Sequence, residues 1–105
     1  QESPYPPGSF DYVISSQVFN YRFSKQKNEQ LVKEMLKLMY ETARHGVAVD
    51  FLTSYVDFQQ DELFYYEPEE LFRYSKSLTK RVSLKHDHPL FEFCLYLYKD
   101  FKGWT

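Results

Sequence analysis

One residue in five of this chain carries an aromatic ring, because its 105 residues include ten phenylalanines, ten tyrosines and one tryptophan. Each ring can bury roughly 150–250 Å² of surface, so a few rings fill the core of a domain this small. The remaining rings are expected near the surface. Since Tyr and Trp are enriched in protein interfaces, the sequence predicts a Phe-rich core and a surface with tyrosines to spare.

The length and the proline content of the chain predict one folded unit. A chain of 105 residues is close to the common size of a domain. Three prolines and a glycine disfavour a helix or a paired strand at the start, so we expect an extended Pro-rich arm at 1–9 and a single globular domain at 10–105. The longest apolar stretch, at 90–98, is much shorter than the roughly 20 residues of a membrane-spanning helix, so no span is expected.

The clearest periodic pattern lies between Ser24 and Gly46. Apolar residues recur there at intervals of three and four with Lys and Glu between them, which is the spacing of an amphipathic helix. Ser24 is a suitable N-cap and Gly46 a suitable stop. The stripe that this helix would bury consists of Leu31, Val32, Met35, Leu36, Met39 and Ala43.

Three further helices are expected. Residues 50–64 have apolar side chains on one arc and aspartates on the opposite side, and Pro68 followed by two glutamates begins the next helix. The last segment, residues 90–102, alternates as a strand would. Helical spacing accounts for it better, and Pro89 at its start and Gly103 past its end agree with a helix.

The first segment of the domain, residues 10–23, fits two structures. As a helix it would have Ser9 as its N-cap and Asp11 in its first turn; as a β-hairpin it would turn near Ser15 and Ser16. We favour the helix. The expected fold is therefore mainly α, a small single-domain bundle of four or five short helices, and the alternative is an α+β fold with an N-terminal β-hairpin packed on helices.

The near-neutral net charge of −2 conceals a polarised chain. Residues 47–72 contain seven acidic residues and no Lys or Arg, whereas residues 73–88 contain five basic residues and one acid. Matching of helix dipoles and pairing between neighbouring helices explain part of this pattern. The other interpretation is that the two blocks face different directions and steer a charged partner.

Tyrosines inside the acidic block are the candidate binding site. Phe64, Tyr65 and Tyr66 are adjacent, so their rings cannot all point inward from one element. We therefore predict a protein–protein interaction module, such as an adaptor, an assembly subunit or a small inhibitor, that binds a basic partner through a Tyr-rich, acidic surface. No catalytic residue or cofactor is implied, so no enzyme activity is expected. The predicted partner-binding residues are Asp57, Asp61, Glu62, Phe64, Tyr65, Tyr66, Glu67, Tyr96 and Trp104.

Two alternative functions use the basic block at residues 73–88, which follows the acidic block. Single-stranded nucleic acid could bind its cations and stack on Tyr74, although an isoelectric point near 5.9 and the acidic block make nucleic acid a less favoured partner. A small metal-dependent enzyme could use His86 and His88, but no second Cys or His cluster supports such a site. The nucleic-acid contacts would be Arg73, Lys76, Lys80, Arg81 and Lys85.

Cys94 is the single cysteine, so no intramolecular disulfide can form. A lone cysteine is more typical of a reducing compartment, and its place in an apolar stretch predicts a small buried side chain.

The chain begins with Gln1 rather than Met, which indicates a processed protein or an excised fragment and leaves a removed leader open. Neither the cellular location nor the oligomeric state follows from these features.

Overall fold

The computed structural model describes residues 6–16, 23–87 and 91–99. Over these residues the chain forms two helices and a four-stranded mixed sheet. In chain order the elements are β1 (Phe10–Ser16), α1 (Lys25–Thr42), β2 (Ala43–Leu52), α2 (Pro68–Leu78), β3 (Arg81–Lys85) and β4 (Glu92–Tyr98).

The strands lie in the order β1-β2-β4-β3. β1 pairs in parallel with β2, with Val13 opposite Val47, so α1 forms the crossover between them. β4 is antiparallel to both of its neighbours, and Leu95 lies opposite Val49 of β2 and Leu84 of β3. β2 and β3 therefore run in the same direction on either side of β4, and β1 and β3 are the edges of the described sheet.

Both helices pack on one face of the sheet. Side chains of β2 and β4 alternate between this face and the other, as the pleat requires. At the centre, the ring of Phe51 lies 5.4 Å from that of Phe93 and 5.3 Å from that of Tyr66, centroid to centroid. The face of the sheet that lies opposite the two helices is called the open sheet face below. The core includes Val32 and Leu36 of α1, Val49 and Phe51 of β2, Leu71 of α2, and Phe93, Leu95 and Leu97 of β4.

The helix predicted from Ser24 onward is confirmed as α1. The Ser24 hydroxyl accepts the backbone N–H of Lys27 at 3.0 Å, which caps the helix. The helix ends at Thr42, earlier than expected, because β2 begins at the next residue. Gly46 is therefore a strand residue rather than a helix stop. A Cβ at Gly46 would lie 3.0 Å from the carbonyl oxygen of Leu97, so glycine permits the close approach of β4.

The predicted bundle of four or five helices is wrong, because the chain forms an α+β fold. Residues 50–64 are not helical: the first three end β2, and those that follow form a loop. Phe51 faces the core, whereas Tyr55 and Phe58 are exposed. The apolar arc that indicated a helix therefore does not correspond to one buried surface.

The last described segment is the strand β4 rather than a helix. Phe93, Leu95 and Leu97 face the helices, while Cys94 and Tyr96 lie on the open sheet face. Because both faces of this strand are apolar or aromatic, its sequence fits helical spacing as well as alternation. The strand pattern was the correct one.

The first segment is a strand, not the helix that the sequence favoured. Val13 packs against the core, whereas Tyr12 and Ile14 are exposed, which is the alternation of a strand. The turn that the α+β alternative places near Ser15 and Ser16 is not there, because β1 continues through both residues and pairs in parallel with β2. Residues 17–22, which that hairpin would include, lie outside the described residues.

The helix predicted to begin at Pro68 is confirmed as α2, with Glu69 and Glu70 in its first turn. It ends at Leu78, and Arg81 begins β3. Within the described ranges, no helix is both long and apolar enough to cross a membrane.

Residues 6–9 are the described part of the predicted arm. They form a turn in which Gly8 has a φ of 73°, a value that favours glycine. The Gly8 N–H donates to the carbonyl oxygen of Glu41 at 3.0 Å. This contact joins the turn to the last part of α1.

Candidate functional site

A groove of about 720 Å³ lies between α2 and the edge strand β3. We call it the α2–β3 groove. Its walls come from one face of α2, from β3 and the residue after it, and from the loop between β2 and α2. The lining residues are Tyr55, Pro68, Glu69, Phe72, Arg73, Lys76, Leu84 and His86.

The sequence of α2 explains why this helix can line a groove and still pack in the core. Leu71 and Ser75, four residues apart, are buried on the side that packs into the domain. Pro68, Phe72 and Lys76 recur at the same interval on the side that lines the groove. The helix therefore packs one side into the domain, and its apolar residues Pro68 and Phe72 lie on a second side that the described residues cover only in part.

The floor of the groove is apolar and its rim is basic. Phe72 and Leu84 are half-buried and pack against the core, and Pro68 is buried beside them. The Lys76 ammonium lies 5.9 Å from the centre of the Phe72 ring and donates to the carbonyl oxygen of Lys80 at 2.6 Å. Apolar surface is thus bordered by cationic side chains.

Arg73 is the second cation of the rim. Its side chain is 78% exposed, and one guanidinium nitrogen lies 3.4 Å from the Glu70 carboxylate. Glu70 also accepts from the Lys33 ammonium of α1 at 3.2 Å. An exposed ion pair of this kind contributes little free energy, so the Arg73 guanidinium can turn to another anion at low cost.

The other end of the groove is polar and pre-ordered. The Tyr55 hydroxyl donates to the Glu69 carboxylate, and the Tyr55 ring meets the His86 ring edge-on at 5.3 Å. His86 Nε2 lies 2.6 Å from Thr53 Oγ1, and the His86 ring stacks on Phe93 of the core. These contacts hold His86 between the core and the groove.

The pKa shifts at this end favour fixed hydrogen-bonding roles over proton transfer near neutral pH. The Tyr55 hydroxyl lowers the pKa of Glu69 by its hydrogen bond, and the same bond with the nearby Glu69 charge raises the pKa of Tyr55. Both shifts move the pKa of the group further from neutral pH. The carboxylate therefore remains an acceptor and the phenol a donor.

The structure does not bring the predicted Tyr-rich surface together. Phe64 and Tyr66 are 6% and 1% exposed and belong to the core. The Tyr66 hydroxyl accepts from the Asn28 amide at 3.3 Å, so its polar group is satisfied inside the domain. Tyr65 is half-buried, and its hydroxyl accepts the backbone N–H of Gln60 at 3.2 Å.

The other residues of the predicted partner surface lie in different places. Tyr96 lies on the open sheet face, and Trp104 lies outside the described residues. Four acidic residues are exposed in or next to the loop that precedes α2, without a cluster of accessible tyrosines between them; these are Asp57, Asp61, Glu62 and Glu67.

The predicted basic block is divided between two sides of one sheet edge. Arg73 and Lys76 lie on the rim of the α2–β3 groove, whereas the half-buried Arg81 and the exposed Lys85 lie on the open sheet face of β3, alternating with the core-facing Leu84. Lys80 is exposed in the turn between α2 and β3. The sequence identified these cations but not their division.

The weak metal alternative has little support among the described residues. His86 lines the groove and is paired with Thr53, and His88 lies outside the described ranges. Within those ranges, no group of three or more His, Cys, Asp or Glu side chains is arranged to hold a metal ion.

Two surfaces escaped the sequence analysis. The sequence signal of the α2–β3 groove was the pair Pro68 and Phe72, four residues apart on a side of α2 that does not include the buried Leu71. The open sheet face exposes Tyr12 and Ile14, at 59% and 78%, and carries the nearly parallel rings of Tyr96 and Tyr98, whose centroids lie 6.4 Å apart. The sequence feature that indicated the open sheet face was the alternation of side chains in β4.

Cys94 lies half-buried on the open sheet face, opposite Asp50. Burial and the hydrogen bond to Asp50 raise the pKa of the Cys94 thiol to about 11, although Tyr96 and Lys85 act in the other direction. Cysteine reactivity requires the thiolate, whose fraction falls as the pKa rises.

We expect iodoacetamide to alkylate Cys94 in the folded protein at pH 8 at least about tenfold more slowly than in the urea-unfolded chain. Above pH 9 the rate for the unfolded chain should level off, while the rate for the folded protein continues to rise toward pH 11. Intact-mass spectrometry over time measures both rates. Equal rates at pH 8 would show that the thiol is not protected.

Comparison of the chain with protein-family models, with curated proteins and with solved structures found no significant match.

Proposed function

We propose that this domain is a protein-interaction module that binds its partner through the α2–β3 groove. The observation that carries the proposal is the apolar floor of Pro68, Phe72 and Leu84 beside the cations Arg73 and Lys76. Aromatic residues and Arg are enriched in the cores of protein–protein interfaces. A groove of this composition provides an apolar anchor site together with charged groups that fix orientation.

The charges on the rim of the groove indicate the sign of the charge that a partner would carry. Arg73 and Lys76 stand beside the apolar floor, and only Glu69, already bonded to Tyr55, is acidic among the lining residues. An acidic segment would therefore be attracted, both in the first encounter and in the complex. The sequence led us to expect a basic partner; the groove favours an acidic one.

The groove supports a protein partner better than a single strand of nucleic acid. A nucleic acid would need the cations along one continuous path with aromatic rings between them. Arg73 and Lys76 lie on the groove side of the sheet edge, while Arg81 and Lys85 lie on the open sheet face. A salt titration with a labelled oligonucleotide tests the nucleic-acid alternative separately.

Reversal of the rim charges tests the proposal. The variant Arg73→Glu/Lys76→Glu changes the net charge by four units, and Lys27→Glu/Lys37→Glu makes the same change on exposed positions of α1. Each protein is immobilised, bound proteins are identified by quantitative mass spectrometry, and their affinities are then measured with purified material. Circular dichroism checks that all variants are folded.

We expect the groove variant to lose partners that the wild type and the α1 variant retain, with affinity lowered at least about tenfold. Equal capture by the groove variant and the α1 variant would overturn the proposal, because the total charge is matched and only its position differs.

A further inference from the structure

β3 has a strand neighbour on one side. All five of its residues are in register with β4, from Arg81 opposite Tyr98 to Lys85 opposite Cys94. On its other side, no strand of the described residues pairs with it. An edge strand presents alternating N–H and C=O groups to a chain that lies alongside it. The α2–β3 groove lies at this same edge.

The side chains of β3 fix what an added strand would meet on each face. Val82 and Leu84 point to the helix side, where Leu84 forms part of the groove floor with Phe72. Arg81 and Lys85 lie on the open sheet face, two positions from Ser83 in either direction. A strand added beside β3 would therefore have apolar surroundings on one face and cations on the other.

We propose that the groove binds an acidic, extended peptide segment of the partner protein, which adds to β3 as a fifth strand. This inference rests on the proposed function and specifies its ligand. Side chains on one face of the segment are apolar and enter the groove over Phe72 and Leu84. Those on the other face are acidic and lie across from Arg81 and Lys85, since opposite charges on neighbouring strands stabilise the pair.

Strand addition gives the divided basic block a common role. The cations Arg81 and Lys85 act on the open sheet face of the segment, and Arg73 and Lys76 add positive potential from the rim of the groove. The binding motif is thus an alternation of acidic and apolar residues, because successive side chains of a strand point to opposite faces.

Defined peptides test this motif. The probe is a fluorescein-labelled peptide of sequence EVEVEVE, and the control EEVVVEE has the same composition without the alternation. Two further peptides carry backbone N-methyl groups, one on all valine amides and the other on all glutamate amides except that of the first residue. In an extended peptide the valine N–H groups point to one edge and the glutamate N–H groups to the other.

Fluorescence anisotropy with the whole chain measures the affinities. We expect EVEVEVE to bind and EEVVVEE to bind at least about tenfold more weakly. One of the two N-methylated peptides should lose at least about tenfold in affinity, because its edge pairs with β3, while the other binds as before. The variant Lys85→Glu should weaken binding of EVEVEVE, and Lys27→Glu should leave it unchanged.

Absence of EVEVEVE binding, equal binding of EVEVEVE and EEVVVEE, or the same response to both N-methyl patterns would overturn strand addition. Those outcomes leave the proposed function to be judged by partner capture with the Arg73→Glu/Lys76→Glu variant. Loss of capture by that variant with no effect of N-methylation would mean that the partner enters the groove in another conformation.

Discussion

Replacement of Phe51 by alanine should lower the free energy of unfolding by about 3–5 kcal/mol. Phe51 is fully buried in β2, and its ring lies between those of Phe93 and Tyr66. Truncation removes the apolar area of the ring and leaves a cavity where the sheet meets the loop before α2. Urea unfolding followed by circular dichroism measures the change.

Phe58→Ala is the matched control, since it removes the same ring from a position that is 71% exposed. It should change the free energy of unfolding by no more than about 0.5 kcal/mol. Similar losses for the two variants would contradict the placement of Phe51 at the centre of the core.

Asn28→Ala should lower the free energy of unfolding by about 2–3 kcal/mol, a large effect for a polar residue. Asn28 is fully buried in α1, where its amide donates to the Tyr66 hydroxyl at 3.3 Å and its side-chain oxygen accepts the backbone N–H of Phe23 at 2.8 Å. The alanine variant removes these two hydrogen bonds, and the buried Tyr66 hydroxyl loses the donor that the Asn28 amide provides. Thermal and urea unfolding both report the loss.

A double-mutant cycle with Tyr66→Phe isolates the bond between the two side chains. Tyr66→Phe should cost less in the Asn28→Ala background than in the wild type, with a coupling of about 1 kcal/mol. Strictly additive effects would show that the two residues act on stability independently.

The helices could be predicted because their signals are local. α1 has an N-cap at Ser24 and an apolar stripe on one face, and α2 begins at Pro68 with acidic residues after it. Such features lie within a few turns of one another, so sequence alone contains them.

The strands were missed because their pairing is not local. β1 is stabilised by β2, 33 residues further along at the register of Phe10 with Ala43. In β4, Leu95 and Tyr96 face opposite sides of the sheet and both are apolar or aromatic, so helical spacing fitted as well as alternation. The choice between helix and strand depends on whether one or both faces of this segment are covered by the rest of the domain, and only the fold determines that.

The candidate site was visible in part. The sequence located the cations Arg73 and Lys76, but the groove also requires Tyr55 and Leu84, which are 29 residues apart and come together only across the sheet edge. Tyr66 was misplaced because its neighbours in sequence are aromatic and acidic, whereas its hydrogen-bond partner, Asn28, lies 38 residues earlier.

The charges on β3 also affect whether two copies of the domain can pair along this edge. If two copies of the domain met along β3 in antiparallel register centred on Ser83, Arg81 of each copy would lie opposite Lys85 of the other. Like charges directly across a strand pair are destabilising, so the charges on β3 disfavour this pairing of two copies. At about 1 M salt the screening length falls to roughly 3 Å, and this protection against self-association weakens.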